Sequence, residues 1–189
     1  MRRMLAVFAI VSFVSPAFST PSSGVPASTS QSDGVAGYYR GPEISGDTVV
    51  FAAEGDLWVT TVNGGVAQRI TTHPSEETDP VISPDGQTLA FTARYEGPAE
   101  LYTMPLSGGV PTRQTYESDS SIATTWTPDG KLVYTTGYYA TLPLPQLVAI
   151  DVSDHTRERI PLSTASEAVY DDSGDNLYFV RPAYHGNVT

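Results

Sequence analysis

Ser83-Pro84-Asp85-Gly86-Gln87-Thr88-Leu89-Ala90-Phe91 and Thr127-Pro128-Asp129-Gly130-Lys131-Leu132-Val133-Tyr134 are two copies of one device, a Pro-Asp-Gly turn running into an apolar strand. Proline presets φ for the turn, aspartate can bond the backbone two residues on, and glycine accepts positive φ. Asp172-Ser173-Gly174-Asp175 holds the same place before Leu177-Tyr178-Phe179, and Val49-Val50-Phe51 is a fourth strand core upstream. The aromatic members Phe51, Phe91, Tyr134 and Phe179 are 40, 43 and 45 residues apart.

A second set of cores follows the first three: Leu57-Trp58-Val59, Leu101-Tyr102-Thr103 and Leu147-Val148-Ala149. After them come Gly64-Gly65 and Gly108-Gly109, replaced by Ser153-Asp154 in the third unit. Arg69-Ile70-Thr71, Arg113-Gln114-Thr115 and Arg159-Ile160-Pro161 come next. Four short strands per period of about 40 to 45 residues is the arithmetic of a propeller blade, and no segment after residue 17 keeps a helical period. The expected fold is therefore all-β: a β-propeller of four-stranded blades, incomplete, with about three blades plus part of a fourth. A β-sandwich or solenoid also has short strands but would not repeat the same turn chemistry at this spacing. Propellers close rings of four to eight blades, so the natural product is expected to continue past Thr189.

Upstream of the repeats, Arg2-Arg3, the apolar run Met4 to Val14 and Ser15-Pro16-Ala17 read as a secretory signal peptide over residues 1–17, with a cut after Ser19 as a second choice. A run of 11 residues falls well short of the roughly 20 that span a bilayer as a helix. Residues 18–36, rich in Ser, Thr, Pro and Gly, read as a flexible linker. The propeller segment is expected over 37–189. Cysteine is absent from the 189 residues, so neither a lipid-bearing cysteine nor a disulfide is available and packing alone must hold the fold. An exported, periplasmic chain is expected, with a cytoplasmic location as the alternative.

Ten Lys and Arg against 21 Asp and Glu give a formal charge of -11, and two of those cations lie in the leader. So negative a surface argues against nucleic acid or an anionic membrane as partner. His73, His155 and His185 are scattered and each sits beside turn residues; no His-Glu-x-x-His and no Gly-x-Ser-x-Gly occurs. No catalytic, cofactor-binding or metal-binding residue is therefore assigned, and no cofactor is expected. Asp171-Asp172-Ser173-Gly174-Asp175-Asn176 is read as a blade turn rather than a calcium loop, since it lacks the full spacing and the terminal Glu. Glu76-Glu77-Thr78-Asp79 is read as a solvated loop rather than an acid and base pair, because nothing near it in sequence would bury a carboxyl. Trp58, Trp126 and the pairs Tyr38-Tyr39 and Tyr138-Tyr139 are assigned to interblade packing.

The Pro-Asp-Gly turns, Glu100-Leu101-Tyr102, the Gly-Gly turns and Arg-x-Thr are similar to blades of TolB-like propellers. The opening from Gly37-Tyr38-Tyr39-Arg40-Gly41-Pro42-Glu43 through Phe51, then Glu54-Gly55-Asp56-Leu57-Trp58, resembles the start of tricorn-type serine peptidases. Ile70-Thr71-Thr72-His73-Pro74, Trp126-Thr127-Pro128-Asp129-Gly130 and Glu167-Ala168-Val169 fit the following blades of that family. The resemblance implies a six-bladed N-terminal propeller, then a seven-bladed one, a PDZ-like module and a serine-type catalytic domain that hydrolyses oligopeptides. It casts this chain as a gating or channelling segment with the catalytic part elsewhere. Peptides or partner proteins, and a homo-oligomer of the full-length protein, are the expected partners. The alternatives are a noncatalytic TolB-like periplasmic scaffold and the propeller of a prolyl-oligopeptidase-like enzyme.

Overall fold

The repeated turns close repeated hairpins. In the computed structural model, which describes residues 38–140, 144–171 and 173–182, the Ser83 hydroxyl donates to Asp85 Oδ1 at 2.6 Å and that oxygen accepts from the Gln87 amide at 3.0 Å. The Gly86 amide donates to the Ser83 carbonyl at 2.8 Å, with Gly86 at φ 69°. Thr127 closes its own turn through Gly130, at φ 88°, whose amide reaches the Thr127 carbonyl at 3.0 Å. In the fourth unit Asp171 takes the place of Ser83: its carboxylate accepts from Asn176 Nδ2 and from the Ser173 hydroxyl, at 2.7 and 2.9 Å. Those bonds favour the ionised form and hold its pKa low. Asp172 lies outside the described residues.

Fourteen strands follow among the described residues. The first sheet holds β1 (Tyr39–Ser45), β2 (Thr48–Ala53), β3 (Asp56–Thr61) and β4 (Gln68–Arg69), antiparallel neighbours in that order. The second holds β5 (Glu77–Ile82), β6 (Thr88–Ala93), β7 (Glu100–Pro105) and β8 (Thr112–Arg113). The third holds β9 (Ser121–Trp126), β10 (Leu132–Thr136), β11 (Gln146–Ile150) and β12 (Arg157–Arg159). The fourth pairs β13 (Glu167–Tyr170) with β14 (Leu177–Val180). Three full blades and part of a fourth, not closed into a ring, is the expected fold, and the described residues contain no helix. The leader and linker expected at 1–17 and 18–36 lie outside the described residues.

Each strand that runs into a Pro-Asp-Gly turn proves to be the first strand of its own blade. Where the third unit lacks Gly-Gly, His155 takes the left-handed backbone at φ 62° and the carboxylates of Asp151 and Asp154 brace the turn through Ser153 N and Thr156 N. Strands β6 and β10 are buried along nearly their whole length, on both faces. A blade that is apolar on both faces must cover each with a neighbour, which is why the blades stack.

The core is accordingly three interblade layers. Val50 and Leu57 of the first blade meet Leu89, Phe91 and Met104 of the second. Ala90 and Leu101 of the second meet Trp126, Tyr134 and Ile150 of the third. Val133 and Leu147 of the third meet Ala168 of the fourth, with Leu177 packed against them. The indole of Trp126 crosses an interface, donating to the Val81 carbonyl at 3.2 Å. Trp58 instead turns back on its own blade and donates to the Ala53 carbonyl at 3.0 Å. Tyr38, Tyr39 and Tyr138 are exposed, against the expectation that both tyrosine pairs pack between blades; Tyr139 alone packs on the second layer. Tyr39 sits edge-on to Phe51 with ring centres 5.3 Å apart, inside one blade. Tyr178 of β14 is 61% exposed, whereas Val50, Ala90 and Val133 at the same place in the earlier blades are 0% exposed.

Candidate functional site: the axial groove and the blade junctions

The first strands β1, β5, β9 and β13 lie side by side along one groove of about 680 Å³. Each of the first three is bulged at the same height. Gly41-Pro42 oppose Phe51, Asp79-Pro80 oppose Phe91, and Thr124 is the extra residue opposite β10. An extra residue bends a strand and re-aims its side chains. Gly41 and Asp79 supply the left-handed backbone, at φ 52° and 51°. Asp adopts that conformation more readily than a branched residue. A side chain at Gly41 would meet the Pro80 ring at 3.5 Å, so the bulges of adjacent blades pack on each other.

Three of the described lining residues, Glu43, Asp79 and Glu167, are acidic and none is basic. Burial pushes the Glu43 carboxyl above the usual range, partly offset by a bond from the Ile82 backbone. Asp79 accepts from the Thr78 hydroxyl at 2.7 Å. Glu167 is exposed to the groove. The Thr135 hydroxyl donates to the Ser166 carbonyl at 2.6 Å and so ties the third blade to the fourth at the rim. Carboxylates among bulged backbone can accept hydrogen bonds from an extended or positively charged chain. His73 lies away from this lining, exposed on the loop before β5, its Nδ1 accepting from the Ser75 amide at 3.0 Å. His155 is in the turn after β11, and His185 lies outside the described residues.

The second feature is a stitch repeated at each blade junction. The amides of Glu77, Ser121 and Ala165 donate to the carbonyls of Gly55, Ala99 and Pro145, at 2.9, 2.7 and 3.0 Å. Arg-x-Thr reinforces it. Thr71 Oγ1 accepts from the Leu57 amide at 2.8 Å, and Thr115 Oγ1 from the Leu101 amide at 2.9 Å. Arg69 pairs with Asp56 at 2.7 Å and Arg113 with Glu100 at 2.9 Å, each arginine also donating Nε to the carbonyl of its own motif's threonine. In the third unit Pro161 has no hydroxyl and Gln146 replaces the acid; Gln146 Oε1 has no hydrogen-bond partner among the described residues.

At the first junction the structure corrects the reading of Glu76-Glu77-Thr78-Asp79 as a solvated loop. Glu77 opens β5 at 0% exposure, accepting from the hydroxyls of Thr71 and Tyr95. Burial raises its pKa. The groups that bury it come from six residues before and 18 after, which no local reading of the sequence brings together. Glu77 of the first junction is matched by Glu117 in the second, which accepts from Ser121 Oγ at 2.8 Å and pairs with Arg157 at 3.1 Å.

Residues 36–187 match the family described as the Tricorn protease N-terminal beta propeller domain. Tricorn protease homolog 1 of Streptomyces coelicolor is 36% identical over 104 residues, 53% of this chain and 10% of that protein. A protein of Sulfurisphaera tokodaii called a putative Tricorn-like protease N-terminal subunit is 27% identical over 154 residues, 77% of this chain and 75% of its own length. This chain thus spans about a tenth of the first relative and three quarters of the second. The crystal structure of the tricorn protease superposes with a TM-score of 0.63 at 22% identity, over 72% of this chain and 14% of that one. TolB from Acinetobacter baumannii superposes with a TM-score of 0.66 at 21% identity, over 80% of this chain and 39% of that one. At such identity the superpositions speak to the propeller fold, while the match over nearly all the bladed residues speaks to descent: the chain belongs to the tricorn protease N-terminal β-propeller family.

Proposed function

We propose that this chain is the N-terminal propeller segment of an exported, tricorn-like serine-type peptidase, and that its axial groove channels oligopeptides to a catalytic domain outside these blades. The observation that carries the reading is the groove itself: four first strands side by side, the first three bulged at one height, with Glu43, Asp79 and Glu167 in the lining. Family membership supplies the peptidase context. The relative called an N-terminal subunit, matched over most of its length, supports a propeller that serves a catalytic part elsewhere.

Glu167 is exposed in the groove, so Glu167→Trp narrows the passage without a core penalty. In the full-length peptidase this change lowers kcat/KM for a long oligopeptide and leaves cleavage of a dipeptide substrate untouched. Equal loss for both substrates, or for neither, removes the groove from the substrate path. A serine-directed covalent probe applied to the native protein tests the peptidase reading separately; a native protein that takes up no label favours the TolB-like scaffold. Export is tested by the mass of the mature N-terminus, expected to begin after Ala17 or Ser19.

A further inference from the structure

We infer that the junction between the first and second blades is a proton-operated latch, closed by Glu77 in its neutral form and loosened as that carboxyl ionises. The inference is independent of any peptidase role. Glu77 is fully buried where three segments meet: the β2–β3 turn through the Gly55 carbonyl, the β4–β5 connection through Thr71, and the turn after β6 through Tyr95. Its partners are the two hydroxyls and the Leu57 backbone amide, neutral donors that ease a buried charge only in part.

The neighbouring charges do not neutralise it. Asp56 of β3 is buried and pairs through Oδ2 with Arg69 of β4, while its Oδ1 has no hydrogen-bond partner among the described residues. Its negative charge opposes a second one on Glu77. Arg40 of β1 is engaged by the adjacent Glu76. Tyr95 touches Tyr102 of β7, with ring centres 4.4 Å apart, and His73 lies on the Tyr95 ring at 3.8 Å. Among the described residues, the second junction is built otherwise: both of its buried carboxylates, Glu100 and Glu117, have an arginine. The first junction gives its arginine to Asp56 and leaves Glu77 without one.

The direction follows. Below about pH 3 the carboxyl is neutral whether the junction is open or closed. As pH rises, the hydrated, open form ionises first and the closed form must either hold its proton or bury a charge, so closure weakens towards neutral pH. The group binds its proton more tightly when the blades are latched.

Hydrogen exchange on the full-length protein, read as protection factors so that the intrinsic pH dependence of exchange cancels, tests this. Peptides covering 54–58 and 69–78 report the first junction, and those covering 98–102 and 113–122 the second. Between about pH 3 and 7.5 the first pair is expected to lose protection by about threefold or more, with little change in the second. Glu77→Gln, neutral at every pH, abolishes the loss; Tyr95→Phe, which removes a donor to the ionised form and keeps the ring, steepens it. His73→Gln leaves it intact. A first junction no more sensitive than the second, a Glu77→Gln variant that keeps the slope, a slope unchanged by Tyr95→Phe, or a slope that vanishes in His73→Gln would each overturn the latch.

Discussion

Thr115→Val tests whether the Arg-x-Thr motif holds blades together or is only a recurring turn end. The hydroxyl serves two groups at once, accepting from the Leu101 amide at 2.9 Å and donating to Glu100, all at or near zero exposure. Valine has nearly the same shape, so packing is kept and only the polar atom goes. The stranded Leu101 N–H costs about 1–3 kcal/mol and the lost bond to a carboxylate about 1.5–3 kcal/mol. Arg113 still holds Glu100 at 2.9 Å, so the lower half of the combined range, about 3 kcal/mol, is expected. In urea unfolding followed by tryptophan fluorescence, to which Trp126, buried in the layer next to this junction, contributes, that is a midpoint shift of about 1.5 M for a slope of about 2 kcal/mol/M. Thr115→Ser keeps the hydroxyl and should shift the midpoint by less than half as much. A valine variant within about 0.5 kcal/mol of wild type, or one matched by the serine variant, refutes the clamp.

Three further outcomes follow from the same geometry. Phe91→Ala empties a fully buried site between the first and second blades and should cost about 3–5 kcal/mol, read as a shift in urea midpoint with unchanged slope. Gly130→Ala meets no atom within 4 Å but must adopt φ 88°. Its cost is therefore conformational, about 1–2 kcal/mol, and a neutral result in thermal unfolding would mean the turn can change type. Pro161→Thr, which returns the missing hydroxyl to the third junction, should gain no more than about 1 kcal/mol, because Gln146 stands where the other motifs have an acid; a larger gain in the same assay would show that the backbone bond carries the clamp.

Much of this architecture was legible in one dimension because propeller blades are built from local hairpins. The Ser83 and Thr127 turns bond within five residues, so their chemistry is written in consecutive letters, and the strand cores around Phe91 and Tyr134 recur at blade spacing. The acidic surface, the lack of cysteine and the tricorn-type opening were equally readable, since each depends on composition or on short contiguous motifs. The tyrosine pairs misled because neither sits inside a strand between blades: Tyr138-Tyr139 lie in the turn after β10, where only Tyr139 packs, and Tyr38-Tyr39 stand exposed at the start of β1. Which strand faces the axis, and hence that Glu43, Asp79 and Glu167 share a groove across 124 residues of chain, was decided only by the stacking of whole blades. So was the burial of Glu77, a charged residue in a polar, turn-like stretch whose enclosure comes from Gly55, Thr71 and Tyr95. Desolvation depends on the volume closed around a group, and that volume exists only once two blades have met.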